Sequence, residues 1–247
     1  WTGYQANPRS VAQPALDYNT RKSIDHMQGG LTYEHRFGDH SVLASVYAGQ
    51  RSTIQYQSIP AGPQANPKHS GGVIDFDRDF AGASTRWIGR FQLAGGKLTT
   101  TVGVEYEQAT DQRRGYENFI GTTLGVKGNQ RRAEEDRVAS FDQYAQAEWQ
   151  GERWTFSGGL LHSNVSFSVK DAYLSNGNDS GNVSYEKTTP TIAAMFRLTP
   201  SVNIYASAAR GFEAPTFNEL FYSGPGGTFS YNLKPSTSTH YETGLKA

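Results

Sequence analysis

The sequence has no cysteine and no excess of charge of either sign. The absence of cysteine excludes a thiolate metal site and a cysteine nucleophile. Lysine and arginine together number 23, as do aspartate and glutamate together. This balance argues against a dedicated nucleic-acid-binding protein, because such proteins usually carry a basic excess.

Long apolar runs are also missing. No stretch of 18 apolar residues occurs, so the sequence predicts no transmembrane helix. The low mean hydropathy does not exclude a membrane β-barrel, because only alternate residues of a barrel wall face lipid. No signal peptide opens the sequence, which leaves either a protein that is not exported or the interior of a longer one.

What the sequence does contain is typical of β-structure. Glycine is abundant at 27 residues, and Tyr, Phe and Trp number 14, 13 and 4. Nine long segments read as strands, and their length exceeds the usual five or six residues of strands in globular proteins. Such lengths match tilted strands that cross a bilayer and extend above it. The predicted strands are residues 22–37, 41–56, 82–94, 97–112, 137–150, 154–170, 183–198, 202–212 and 236–247.

Apolar and polar side chains alternate within most of these segments. In the fourth one, Val102 and Val104 share one face, whereas Glu105 and Glu107 share the other. A period of two with one apolar face is the signal of a strand between two different environments. The segment 154–170 changes phase part-way, which predicts a β-bulge near 160–161.

The connections between the strands alternate between short and long. Outer-membrane barrels show this arrangement, with short periplasmic turns and long extracellular loops. Aromatic residues sit near the short turns, as in the aromatic girdles of such barrels. The short turns are Gly38–His40, Gly95–Gly96, Gly151–Arg153 and Thr199–Ser201; the long loops are 57–81, 113–136, 171–182 and 213–235; the aromatics are Phe37, Phe91, Trp149 and Trp154.

Specific motifs carry a family resemblance. A strand ends in Arg210-Gly-Phe212, and Pro215 and Asn218-Glu-Leu220 follow it. After a loop come Asn232-Leu-Lys-Pro-Ser236 and Tyr241-Glu-Thr-Gly-Leu-Lys246. This order resembles the barrel of TonB-dependent outer-membrane receptors, with one departure at Ser236, where the family commonly has glutamate. The string from Asp111 to Asn118 resembles the iron-chelate branch of that family.

The resemblance implies a fold and a function. The fold is all-β: an antiparallel transmembrane β-barrel of which this chain supplies about nine of roughly 22 strands. Residues 1–247 then form part of the barrel domain, and the plug domain lies upstream, outside this chain. The implied protein sits in the bacterial outer membrane, in contact with its lipid, and takes up a ferric siderophore. The TonB complex energises import by acting on the plug.

The ligand-binding residues are expected at the long-loop end. Arginine offers planar multi-donor recognition of anions, and aromatic rings offer stacking area. For each residue the alternative is an exposed loop side chain that contacts no ligand. The candidates are Arg113, Arg114, Tyr116, Phe119, Arg131, Arg132, Tyr222 and Tyr231.

A second group of residues is expected to shape the barrel rim. Pro215 suits the end of strand pairing because it lacks an N–H, and an ion pair between Arg210 and Glu219 is predicted to fix the base of the last loop. The full group is Arg210, Gly211, Phe212, Pro215, Asn218 and Glu219.

The sequence predicts neither a metal site nor a catalytic site nor a cofactor. The run of Asp75, Asp77 and Asp79 resembles the start of a calcium loop, but Phe80 and Arg86 occupy positions that require glycine and glutamate. A solvated acidic loop is therefore expected there. Three alternatives remain open: a receptor for haem, cobalamin or another chelate, a passive porin, and an outer-membrane enzyme.

Overall fold

A computed structural model describes residues 5–222 and 228–247 of the chain. Nine strands form one antiparallel sheet in which every strand pairs with its neighbours in sequence, and a two-stranded hairpin lies in one loop. The strands are β1 (Arg21–Phe37), β2 (His40–Tyr56), β3 (Val73–Leu93), β4 (Gly96–Tyr116), β5 (Phe119–Ile120), β6 (Thr123–Leu124), β7 (Gln130–Gln150), β8 (Trp154–Asp171), β9 (Gly181–Thr199), β10 (Val202–Glu213) and β11 (Ser236–Lys246). The helices are α1 (Gln13–Asp17), α2 (Ala61–Gln64) and α3 (Phe217–Tyr222).

The nine predicted strands are all present, but three extend farther toward the long loops. β3 begins at Val73 and not at 82, β4 continues to Tyr116, and β7 begins at Gln130. These extensions are rich in charged residues, and for that reason the sequence pattern predicted loops there. They continue the β3–β4 and β4–β7 ladders, with one register shift after Gly115, and oppositely charged side chains such as Asp75 and Arg114 face each other across the strands. None of the described helices is long and apolar enough to cross a membrane.

The two faces of the sheet differ in chemistry, as the alternation predicted. On β4 the apolar face carries Leu98, Val102, Val104 and Tyr106, and polar residues replace them from position 108 upward. The apolar band therefore occupies the part of each strand nearest the short turns. The opposite, polar face carries acidic and basic side chains along the whole strand.

Aromatic rings line the apolar face beside the short turns. Trp154 packs against Phe196 with ring centroids 4.7 Å apart, and Trp149 stacks on Phe156 at 6.0 Å. Farther along the same face, on β3, the rings of Trp87 and Phe91 are 6.2 Å apart. Rings at this level form the belt that anchors barrel walls at the membrane–water boundary.

A tyrosine that spans three strands braces the polar face. Tyr47 on β2 lies across Gly82 on β3 and donates a hydrogen bond to Glu107 on β4, with 2.5 Å between Oη and Oε1. A Cβ at position 82 would lie 2.5 Å from the tyrosine ring. Glycine is therefore required at this position by the close approach of the ring.

The predicted bulge near 160–161 is wrong. The β7–β8 ladder runs without a shift from Gln150↔Thr155 to Glu134↔Asp171. The change in the alternation of apolar residues along β8 has another cause. Phe167 and Val169 lie on the polar face, where the last long loop covers them. There they form an apolar core with Tyr185, Leu220, Phe221 and Phe229.

Helix α3 provides the upper side of this core. The segment Thr216–Glu219 forms a capping box at its start: the Glu219 carboxylate accepts hydrogen bonds from the Thr216 backbone N–H at 2.8 Å and hydroxyl at 3.0 Å. These bonds hold the pKa of Glu219 below its usual range. The predicted ion pair between Arg210 and Glu219 is wrong, because Thr216 binds this carboxylate and Arg210 points from the apolar face.

Candidate functional site

Two of the long loops are fastened to each other by a buried pair of amides. Gln64 donates from Nε2 to Oδ1 of Asn118 at 2.7 Å. Asn118 in turn donates from Nδ2 to the backbone carbonyls of Gln57 at 2.7 Å and Ile59 at 3.0 Å. Both side chains are almost fully buried. Since buried amides are costly to leave unpaired, segments 57–72 and 117–129 form one preorganised block.

A cavity of about 380 Å³ lies between this block and helix α3, at the end of the polar face beyond the apolar band. Several basic side chains line it, and none of the described residues that line it is acidic. Apolar contacts come from Ile59, Ile74 and Phe221. The basic and imidazole side chains of the lining are Lys68, His69, Arg113, Arg114 and Arg132.

Arg132 connects the cavity to the apolar core. Its guanidinium is buried, pairs with Glu134, and stacks on Phe221 with 4.0 Å between Cζ and the ring centroid. Phe229 lies 5.7 Å from the same Cζ. The positive charge is therefore held by both an anion and π faces, which fixes the side chain in one orientation.

Adjacent arginines on β4 project to opposite faces. Arg113 is half-buried on the polar face, in register with Glu134, and lines the cavity. The Arg114 guanidinium lies on the other face and binds Asp77 at 2.6 Å and Asp75 at 3.4 Å. These carboxylates raise the pKa of Arg114. Arg114 therefore reaches only the rim of the cavity, and its charge is already compensated.

His69 contributes a hydrogen-bond acceptor to the cavity wall and no positive charge. Its Nδ1 accepts a hydrogen bond from the Gly71 backbone N–H at 3.0 Å. Burial, and then the nearby Arg131, lower the pKa of His69 below its usual range. The imidazole is thus neutral at neutral pH, and the positive charges in the cavity wall are those of its lysine and arginine side chains.

Asp136 is a buried carboxyl beneath the cavity. Only 1% of the residue is exposed, and burial, followed by the neighbouring Glu134, raises the pKa of Asp136 to about 8. Asp111, the residue opposite it on β4, instead accepts hydrogen bonds from Nε and Nη2 of Arg78 at 2.6 and 2.7 Å. The two aspartates face each other, and the raised pKa of Asp136 favours its protonated form at neutral pH.

We expect this carboxyl to make the protein less stable as the pH rises. Its pKa is raised on folding, so the folded state binds more protons between the ordinary value near 4 and about 8, and the free energy of unfolding falls across that window. Asp136→Asn should flatten this dependence and stabilise the protein at pH 8. Urea midpoints in lipid vesicles at pH 5, 6.5 and 8 measure it. The exposed Asp79→Asn is the control, and an unchanged slope in Asp136→Asn would contradict the assignment.

The acidic run on β3 is not a solvated loop, which corrects the sequence expectation. Asp75, Asp77 and Asp79 project from one face of a paired strand. Lys127 binds Asp75 at 2.7 Å and lies 4.0 Å from the centroid of the Tyr116 ring. Within the described residues, no cluster of histidine and acidic side chains could hold a metal ion.

The other predicted ligand residues mainly hold the loops in place through polar contacts. Arg131 is the extra residue where the β4–β7 register shifts, and it donates to the Asn66 carbonyl at 2.6 Å. Phe119 is half-buried in β5. Tyr231 donates to the Asp179 carbonyl at 2.7 Å, and burial raises its pKa. Tyr222 ends α3, and its side chain falls outside the described part of the chain.

The predicted rim motif surrounds the base of the last loop. Phe212 packs against the apolar core, Pro215 is buried where β10 has ended, and Asn218 is exposed on α3. A Cβ at Gly211 would meet the Ser238 hydroxyl on β11, a side chain that can rotate away. Within the described structure, none of these residues lines the cavity.

Sequence reasoning missed Lys68, Phe221 and Asp136. The alternation of side chains along β4 could have identified Arg113 as the cavity residue. Arg113 continues the polar face of Glu105 and Glu107, whereas Arg114 continues the apolar face of Val102 and Val104. Lys68 had no comparable signal, because it lies in an irregular loop whose path depends on the contact between Gln64 and Asn118.

Comparison with known proteins gives a consistent result. Residues 1–247 match the family described as TonB dependent receptor-like, beta-barrel. The vitamin B12 transporter BtuB of Photobacterium profundum is 39% identical over 54 residues, which cover 22% of this chain and 8% of that protein. The chain thus spans under a tenth of this curated relative.

Solved structures agree on the fold. The unliganded ferric citrate transporter FecA superposes with a TM-score of 0.76 at 17% identity, over 99% of this chain and 34% of that one. The ferric-catecholate import receptor Fiu from E. coli K12 gives 0.69 at 13% identity, over 92% and 38%. The copper transporter OprC gives 0.64 at 17% identity, over 93% and 37%.

Proposed function

Because this chain belongs to the TonB-dependent receptor-like β-barrel family, we propose that the protein containing it imports an anionic ferric siderophore across the bacterial outer membrane. The barrel lies in that membrane. The family is one of transporters and not of enzymes, which removes the enzyme alternative.

The observation that carries the proposal is the basic cavity at the long-loop end. Lys68, Arg113 and Arg132 surround a volume of about 380 Å³, within the size range of small-molecule sites. Guanidinium groups bind carboxylate and catecholate oxygens through several donors at once. The described residues of the wall include basic but no acidic side chains, and such a wall raises the local concentration of an anionic ligand.

The ligand then passes along the polar face. Acidic and basic side chains line that face from the cavity down to the short turns, where they would meet a plug domain. We propose that the ligand binds first at the cavity, and that the TonB complex, acting on a plug outside this chain, opens the route inward. The 54-residue match to a vitamin B12 transporter makes cobalamin the second candidate ligand.

The two adjacent arginines offer a matched experiment. In the full-length receptor, Arg113→Ala should weaken binding of an anionic ferric chelate roughly tenfold, the worth of one charge-assisted hydrogen-bonded contact. Arg114→Ala should change it little, because Asp75 and Asp77 already hold that guanidinium. Fluorescence titrations with ferric citrate, a ferric catecholate and cyanocobalamin measure the affinities.

The outcomes separate the candidates. Binding of cyanocobalamin that is insensitive to Arg113→Ala, with no binding of either ferric chelate, would replace the siderophore by cobalamin. Equal losses in the two variants would show that the cavity does not select the ligand. Salt-dependent conductance in a planar bilayer, without binding of any of these compounds, would instead identify a passive porin.

A further inference from the structure

Strands β9 and β10 stop pairing with each other below the loop-side ends of both strands. Their ladder stops at Thr191↔Ala209, next to Pro190, which has no N–H to donate. β10 continues upward, paired with β11 alone, so that Arg210 faces Thr239. The separation opens a cleft of about 180 Å³ on the apolar face, bounded by Pro190 on one side and Arg210 on the other.

The cleft continues downward as a groove between larger side chains. This groove has a volume of about 490 Å³, and Ile192 and Ala208 belong to both parts, so the two are continuous. Ala194, Ala206 and Ala208 form the floor, and Phe156 stands along one side. Small side chains thus leave a channel in a surface that is otherwise covered by aromatic and aliphatic groups.

The upper end of the groove lies close to the lipid headgroups. Eight residue steps, from 202 to 210, separate the start of β10 from Arg210. They span about 26 Å along the strand, or roughly 20 Å of height at the tilt usual for such barrels. Since the apolar band of these barrels is about 25 Å tall, Arg210 sits near its extracellular boundary.

Other basic residues above the band on the same face are held by protein oxygen atoms. Arg114, Lys127 and Lys170 each bind a carboxylate, whereas Arg21 and Arg137 donate to carbonyl or amide oxygens. Arg210 is exposed, and it has neither a carboxylate nor a hydrogen-bond partner within the described residues. A guanidinium at this level favours a bidentate phosphate.

We propose that this groove binds one phosphate-bearing lipid of the outer leaflet, with an acyl chain over the alanines and the phosphate on Arg210. A second copy of the chain fits less well. A two-fold contact along the groove would bring the two copies' Arg210 side chains toward each other, whereas a lipid supplies the missing negative charge. The proposal does not depend on the identity of the transported ligand.

The test uses the full-length receptor, stripped of lipid in detergent and titrated with bisphosphorylated lipid A under native mass spectrometry. Arg210→Gln should weaken retention roughly tenfold, by loss of a charge-assisted contact. Ala208→Phe should abolish retention by filling the groove. Lys170→Gln and Ala145→Phe, outward-facing residues outside the groove, are the matched controls, and heat-modifiable gel mobility verifies that each variant has folded.

Dephosphorylated lipid A distinguishes the contribution of the phosphate charge from that of acyl-chain packing in the groove. The wild-type receptor should retain it about as weakly as the Arg210→Gln variant retains the phosphorylated form. Equal retention of both lipids by the wild type, or equal losses in Lys170→Gln and Arg210→Gln, would overturn the site. A receptor dimer that excludes lipid and is lost in Ala208→Phe would assign the groove to a second copy.

Discussion

Replacing Arg132 by methionine should lower the free energy of unfolding by about 3–5 kcal/mol, the cost of leaving one member of a buried ion pair alone. Arg132 is buried with Glu134 and lies under Phe221 and Phe229. Methionine keeps much of the packing volume but removes the charge, so Glu134 remains buried without its partner.

Urea unfolding of the receptor in lipid vesicles measures this loss, and hydrogen exchange in residues 212–222 localises it. The second variant, Arg132→Met with Glu134→Gln, should recover most of the stability, because no buried charge is then left unpaired. If the free energy of unfolding falls by less than about 1 kcal/mol in the single variant, or falls further in the double variant, the ion pair between Arg132 and Glu134 does not stabilise the long-loop end of the sheet.

Shortening Leu220 to alanine should cost about 2–5 kcal/mol, as is usual for a fully buried leucine. No part of Leu220 is exposed, and it is the innermost residue of α3 in the apolar core. Because α3 has only six residues, it is too short to persist without this anchor. The helix should therefore exchange its amide hydrogens freely in the variant.

Asn218→Ala is the matched control on the same helix. Asn218 is exposed, and exposed substitutions usually change stability by less than about 0.5 kcal/mol. We expect strong protection of α3 in the wild type and in Asn218→Ala, and its loss in Leu220→Ala. Equal protection in all three proteins would mean that the loop is held by something other than its apolar core.

The long alternating strands were predictable because each one meets two solvents along its length. Residues such as Val102 and Glu105 report that difference directly. Where both faces meet water, the alternation vanishes, and so the charged extensions of β3, β4 and β7 read as loop. Strand pairing there depends on partners such as Arg78 and Asp111, which are 33 residues apart and invisible to a local pattern.

The candidate site was partly predictable. Arg113 and Arg132 were named from composition, and strand parity would have separated Arg113 from Arg114. The phase change on β8 was visible in sequence but misread, because its cause, the covering of Phe167 by α3, is a tertiary contact. The capping box from Thr216 to Glu219 was readable and would have excluded an ion pair with Arg210.

The buried contact between Gln64 and Asn118 has a consequence for changes of ligand specificity. Grafting only one of these two loops from another receptor would leave a buried amide without its partner and deform the wall of the cavity. A successful transplant must carry segments 57–72 and 117–129 together. Natural variation in ligand choice should likewise alter both loops jointly, as a cassette, while the strands below stay unchanged.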